Sequence, residues 1–366
     1  FVEMLIKEIL LKKMVTSILK KGGSNTDEAQ IVANHLVLSN LSGHDSHGVG
    51  MLPIYIRLLK ANLIMPNQQP ELFKIDGSIM MFDGNRGFGQ AVGKVAMEKA
   101  IKKCKSTGLV LMTIRNVHHL GRIGTYGEQS IAAGLISLHF VNVTDHPPVV
   151  CPYGGSDARF NTNPICLAMP GTKKQPQILL DMATSRIALG KTRLAFNKGQ
   201  SLKEGLVIDH TGQPSTDPAV MAAYMFPDRI DNPPIGALTP LGDYKGFGLA
   251  LFCELLGGML SGGGTVQPEH PRKKSIINNM FTILIDPKKL IDLSWMHHEV
   301  EEIVKYCKAS PPAEQGNPVL VAGDPERQAN SERRASGIPL DDETWKQLLI
   351  AGESMGLSKE EMHVNN

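Results

Sequence analysis

Apolar residues recur through residues 2–62 at the three- and four-residue spacing of a helical face, as in Val2, Leu5, Ile6, Ile9 and Leu10. The spacing predicts a first helix over 2–20, stopped by Gly22-Gly23. Residues 24–27 offer N-cap candidates for a second helix reaching Leu41, and 52–63 form a third with Pro53 near its start. From residue 76 the pattern becomes mixed. Apolar runs at 79–82, 109–114, 135–143, 165–169, 178–181 and 281–285 read as buried strands. Helical stretches intervene at 90–105, 123–133, 187–196 and 245–260, and helices return beyond Pro287 at 295–308, 326–334 and 341–355.

Several strands are joined by irregular loops instead of regular helical crossovers, which favours an α+β fold with a mixed or antiparallel sheet over a doubly wound parallel one. The 366 residues suffice for two domains. The division expected is a helical domain built from both termini (1–75 with 288–366) and an α+β domain over 76–287. The terminal helices should pack back on the first ones, because a surface helix needs a partner for its apolar stripe.

Composition narrows the function. With 42% hydrophobic and 20% charged residues and a net charge of +2, the chain is neither disordered nor basic enough to suggest nucleic acid. The five cysteines are widely spaced with no Cys-x-x-Cys pair, so a reducing cytoplasm fits better than a disulfide framework. The N-terminal stretch lacks a small-residue cleavage site, and no run of 18 apolar residues is present to span a membrane.

Four of the twelve histidines fall in two glycine-bounded loops, Gly43-His44-Asp45-Ser46-His47-Gly48 and the segment 115–124 with His118-His119. Histidine exchanges protons near neutral pH, and loops on a rigid scaffold are where catalysis concentrates. An enzyme is the leading expectation. Familiar nucleotide motifs fail: Gly87-Phe88-Gly89-Gln90-Ala91-Val92-Gly93 has the wrong spacing for a dinucleotide fingerprint, and Gly190-Lys191-Thr192 follows Ser185 where a phosphate loop needs glycine. His44, His47 and His119 could together ligate zinc, so a metal-dependent hydrolase is a competing reading.

The motifs Gly-His-Asp-Ser-His-Gly-Val at 43–49, the 116–124 loop, Thr162-Asn163-Pro164, Asp181-Met182-Ala183-Thr184-Ser185, Gly190-Lys191-Thr192-Arg193, Lys245-Gly246 and Gly323 occur in one order. That order resembles the malate/L-lactate dehydrogenase family, also called sulfolactate dehydrogenase-like, and most of all its hydroxycarboxylate dehydrogenase branch. The resemblance spans about 2–360 and implies a non-Rossmann nucleotide-binding fold, NAD or NADP as cofactor, a small 2-oxo or 2-hydroxy acid as substrate, and a homodimer with its site near the interface. It implies His47 as proton donor or base, oriented by Asp181, with His119 as the competing acid/base or carbonyl-polarising group and Ser46 bonding substrate. It leaves His44 and His118 as structural neighbours. It implies cofactor contacts from Met182, Ala183, Thr184, Ser185, Tyr244, Lys245, Gly246, Gly323, Asp324 and Pro325. Two departures stand out. Met51 occupies a position where many relatives have a substrate-gripping arginine, so Arg122 or Arg115 becomes the expected carboxylate anchor and the pocket turns more apolar. Asn161 replaces a glycine, which asparagine tolerates if φ is positive there. A catalytically silent cofactor-binding relative is the third reading.

Overall fold

The computed structural model describes residues 4–225, 235–270 and 273–362. In chain order its elements begin with β1 (Met4–Ile6), α1 (Glu8–Lys21), α2 (Thr26–Leu41) and α3 (Leu52–Lys60). The middle comprises β2 (Glu71–Asp76), β3 (Ile79–Asp83), α4 (Gly89–Thr107), β4 (Leu109–His118), α5 (Gly124–Ala132), β5 (Ile136–Thr144), β6 (Ile165–Met169) and β7 (Ile178–Met182). Next come α6 (Leu189–Asn197), β8 (Val207–Ile208), β9 (Pro214–Ser215), α7 (Ala222–Met225), β10 (Ala237–Leu238), α8 (Tyr244–Cys253) and β11 (Ile277–Ile285). The last are α9 (Leu293–Lys308), α10 (Asp324–Ser336), β12 (Ile338–Leu340) and α11 (Asp342–Glu353).

A seven-stranded sheet in the order β2-β3-β4-β11-β5-β6-β7 forms the centre. Every neighbouring pair is antiparallel except β3 and β4, the pair joined through α4. This is the mixed α+β sheet that the irregular connections predict. Central β11 is longer than its apolar run, beginning at Ile277 instead of Phe281. Asn278 and Asn279 interrupt the pattern but are buried, because their amides bond the backbone of neighbouring segments and so escape the cost of desolvation. Strand β2 was also not read from the sequence: its Leu72, Phe73 and Ile75 are apolar but, like all six of its residues, exposed.

The first helix departs from expectation. Residues 4–6 pair with 338–340 as a two-stranded sheet, and α1 starts only at Glu8. Leu5 and Ile9 are 56% and 61% exposed, and Val2 lies outside the described residues. The stripe that α1 buries is Leu11, Met14, Val15, Ile18 and Leu19, one helical face displaced along the chain. The third helix stops at Lys60, three residues early, where Asn62 takes φ +54°. The helix at the end of the 245–260 stretch widens into a π-turn at Glu254–Met259, where the buried Glu254 carboxylate accepts from Asn142, Asn163 and the Val266 N–H.

One apolar cluster joins α1, α2 and α3 to Ile338, Leu340, Leu348, Ala351, Leu357 and Met362, so C-terminal elements pack on the first helices. A second lies between the sheet and α4 and α5. Helix α9 stands outside the first cluster; it meets the β6–β7 connection, where Thr172 donates to Glu301 at 2.6 Å.

Candidate active site

The first histidine loop follows α2 and is tied down from both ends of the sequence. Asn40 accepts from Val49 N–H at 2.8 Å and donates to Asp45 Oδ1 at 2.7 Å. Arg333 of α10 grips both Asp45 oxygens, at 2.6 and 3.0 Å. His44 bonds Glu326 at 3.1 Å. Gly48 is required: a Cβ there would fall 2.2 Å from Asn40 Oδ1. Helix α6 docks on the same loop, with the Cβ position of Gly190 2.6 Å from Ser46 Cβ.

The second loop is shorter than expected because β4 runs through His118. Asn278 Oδ1 accepts from Leu120 N–H at 2.7 Å, and Tyr126 OH donates to Leu120 O at 2.7 Å, which fixes the backbone beside His119. Gly121 takes φ +74° and leaves room for His35, whose Nε2 accepts the Arg122 N–H at 3.0 Å.

These two loops bring His47 and His119 together as stacked rings, 5.5 Å between centroids and 20° apart in plane. They face a cavity of about 180 Å³ walled by Met51, Ile54, Val143, Val149, Leu189 and Ile276. Ser46 Oγ lies 3.0 Å from His47 Nδ1. His119 Nδ1 lies 2.7 Å from Tyr55 OH, which accepts from the Gln90 amide at 2.8 Å. With Gln90 donating to it, the Tyr55 hydroxyl is free to donate to His119 Nδ1 whenever the neutral ring carries its proton on Nε2. Tyr55 and Gln90 were invisible to motif reading; only their neighbourhood to His119 marks them.

Burial pushes both site histidines down, His47 to about 4 and His119 well below the usual 6.5. At neutral pH both are therefore uncharged. For His47 the Asp181 carboxylate opposes that effect, while no carboxylate acts on His119. Asp181 forms no hydrogen bond with His47; its Oδ2 accepts from Gly124 N–H at 2.7 Å, with Arg122 Nε at 3.9 Å. It acts on the ring through space.

Beyond His47 the cavity continues into a groove of about 450 Å³ along the segment after β7. Met182, Ala183 and Ser185 line it, with Asp181, Arg186 and Lys191. Thr184 points inward instead, its hydroxyl bonding Thr162 O at 3.1 Å. Tyr244 and Lys245 are exposed and line neither space, although Leu241 just before them lines the groove. Gly246 is packed against the Leu241 backbone. Of the late turn, Gly323 caps α10 at φ +96° and lines a separate neighbouring pocket. Asp324 is engaged with Lys308 and Arg327, Pro325 lies in the first turn of α10, and Glu326 is the residue that reaches the groove.

Three expectations change. Arg115 is paired with Asp83 at 2.9 Å and stacked on Phe73, so it is no carboxylate anchor. Arg122 is wholly buried, bonds Glu128 at 2.8 Å and lines the groove but not the histidine cavity. Asn161 does not adopt positive φ; Asn163 does, at +32°, while Asn161 donates to Val143 O and lines the cavity. His118 is fully buried with neither ring nitrogen bonded. Among the described residues no group of three or more His, Cys, Asp or Glu side chains is arranged to hold a metal ion.

The chain is 39% identical to hydroxycarboxylate dehydrogenase B of Escherichia coli (strain K12), over 96% of its own length and 94% of that protein. It is 34% identical to L-sulfolactate dehydrogenase of Methanocaldococcus jannaschii, covering 98% and 99%. The solved structure of sulfolactate dehydrogenase from that organism superposes with a TM-score of 0.81, covering 98% of this chain and 99% of that one. Malate dehydrogenase from Pyrococcus horikoshii gives 0.82 at 27% identity, covering 97% of each. Fold and relatives together define an NAD(P)-dependent oxidoreductase that transfers hydride to or from a hydroxy acid. In particular, the chain belongs to the malate/L-lactate dehydrogenase family, whose model matches residues 6–349.

Proposed function

We propose that His47 is the proton-transferring residue for a 2-oxo/2-hydroxy acid pair and that His119 holds the substrate oxygen. The observation that carries this reading is the stacked pair facing one apolar cavity, with the Asp181 field acting on His47 alone. His119, with Tyr55 donating to its Nδ1, presents Nε2–H as a hydrogen-bond donor to the developing alkoxide. His47, neutral in the free protein, accepts the hydroxyl proton in oxidation and returns it in reduction. Asp181 stabilises the imidazolium formed in between, by the logic of other carboxylate–histidine pairs.

The groove fits a dinucleotide. The N-terminus of α6 with Lys191 supplies positive potential for phosphates, and Met182, Ala183 and Ser185 supply a wall. Bound there, the nicotinamide supplies the hydride through its C4 position. Tyr244, Lys245 and Gly323 belong to the outer reach of this reading, and Asp324 and Pro325 shape its turn.

The exposed apolar face of α8 and its π-turn supports a homodimer: Tyr244, Leu251, Phe252, Met259 and Leu260 are 41–63% exposed. Four buried free thiols and one exposed one support a reducing, cytoplasmic setting. The apolar cluster shared by the first helices and the C-terminal elements supports a helical unit of 1–75 with 288–366.

The test is oxidation of NADH and NADPH against pyruvate, oxaloacetate, glyoxylate and phenylpyruvate. His47→Ala and His119→Ala should each lose at least about a hundredfold in kcat with folding intact. Near-normal turnover in both would overturn the assignment. Stoichiometric zinc with activity abolished by chelation would favour hydrolysis instead.

A further inference from the structure

Arg193 is the one arginine or lysine among the described residues lining the histidine cavity, and no aspartate or glutamate lines it. It belongs to α6, where Leu189, Gly190 and Arg193 turn one face to that space. The contact of Gly190 with Ser46 locks the start of α6 to the His47 loop, and Arg193 follows one turn later. On the loop side Gly50 leaves room for it: a Cβ there would stand 3.3 Å from Arg193 Nη2.

The other arginines near the site are committed. Arg122 bonds Glu128, Arg186 bonds Asp243 and Arg333 bonds Asp45. Arg193 has no ion pair or hydrogen bond among the described residues, although burial opposes its charge and only the more distant Asp341 favours it. Arg193 is half-buried and also lines a second space with Asp341, yet it makes no bond with that carboxylate, so its charge is left for a ligand to complete. Met51 adds one more apolar wall to the same cavity.

We propose that Arg193 binds the substrate carboxylate, through a two-pronged guanidinium–carboxylate contact that turns the 2-oxo or 2-hydroxy carbon toward His47 and His119. The inference rests on the histidine cavity being the substrate site. It also names the substrate class. With one cation and an apolar wall, the cavity takes monocarboxylic acids with an apolar side chain; a second carboxylate would meet Ile54, Val143 or Ile276 and remain unpaired.

The test compares the best acid of the four-member panel with its amide in the wild type, Arg193→Gln and Arg193→Lys. Arg193→Gln should lower kcat/KM for the acid by about a hundredfold or more, chiefly through KM, and collapse the acid-over-amide preference. Arg193→Lys should lose at least about tenfold, because the ammonium keeps the charge but not the fork. NAD(P)H affinity by fluorescence should be unchanged in both, which reports an intact fold and groove. An undiminished acid preference in Arg193→Gln overturns the inference; if that variant fails to fold, full activity of Arg193→Lys does so. Wild-type preference for oxaloacetate over phenylpyruvate would overturn the substrate class. Should His47→Ala and His119→Ala both keep turnover, the site itself has been misplaced. If they are inactive while Arg193→Gln still prefers the acid, the site stands and only the anchor falls.

Discussion

Among the described residues His35, His118 and His139 are buried and His47 and His119 line the cavity, and loss of solvent pushes each below the ordinary 6.5: His35, His118 and His139 to about 3, His47 to about 4, and His119 well below. Below pH 6.5 an unfolded chain takes up a proton at each imidazole that the folded chain refuses. Stability must therefore fall as pH drops through 6.5, and continue to fall until the folded values are reached. At pH 5.5 one such histidine costs about 1.4 kcal/mol, and five cost about 7 kcal/mol, comparable with the whole stability of a typical domain. Glu28 and Glu254, raised by burial, bind protons more readily when folded and work the other way. Net uptake on unfolding at pH 5.5 is thus about three or four protons. Urea midpoints followed by circular dichroism at pH 7.5, 6.5 and 5.5 should drop steeply over the last step. Calorimetry in two buffers of different ionisation enthalpy should count the protons. His118→Leu breaks no side-chain hydrogen bond, since neither ring nitrogen has a partner, and should reduce the uptake by about one. Equal stability at pH 7.5 and 5.5 would refute the reasoning.

Tyr55→Phe removes the donor to His119 Nδ1 and should lower kcat by about ten- to a hundredfold while cofactor affinity holds; an unchanged kcat would show that the tautomer is set otherwise. Asp181→Asn removes the one carboxylate that raises the His47 pKa. The acid limb of the oxidation profile should then move to lower pH while reduction slows, and a limb moving to higher pH would contradict the assigned field.

Local pattern located nearly every long element, because a buried face repeats every two residues in a strand and every three or four in a helix. It failed where a partner far along the chain decides the outcome. Residues 4–6 look helical until 338–340 offer strand pairing, and Asn278-Asn279 look like a strand end until the N–H groups of Asn116 in β4 and Leu120 just beyond it satisfy them. The same division holds in the site. His47, His119 and Asp181 stand in short motifs and could be named directly. Tyr55 and Gln90 lie in helical runs and Arg193 ends a motif that gave it no role, and their chemistry exists only through what the fold places against them.

By itself, then, the sequence determined the mixed sheet, the terminal helices and the two histidine loops, all of which depend on residues within a few positions of one another. Only the tertiary structure decided that the loops stack, that Asp181 acts on His47 across space without touching it, and that Arg115 and Arg122 are neutralised while Arg193 is not. Burial, desolvation and the presence or absence of a counter-charge are properties of the assembled neighbourhood, and no window of consecutive residues contains them.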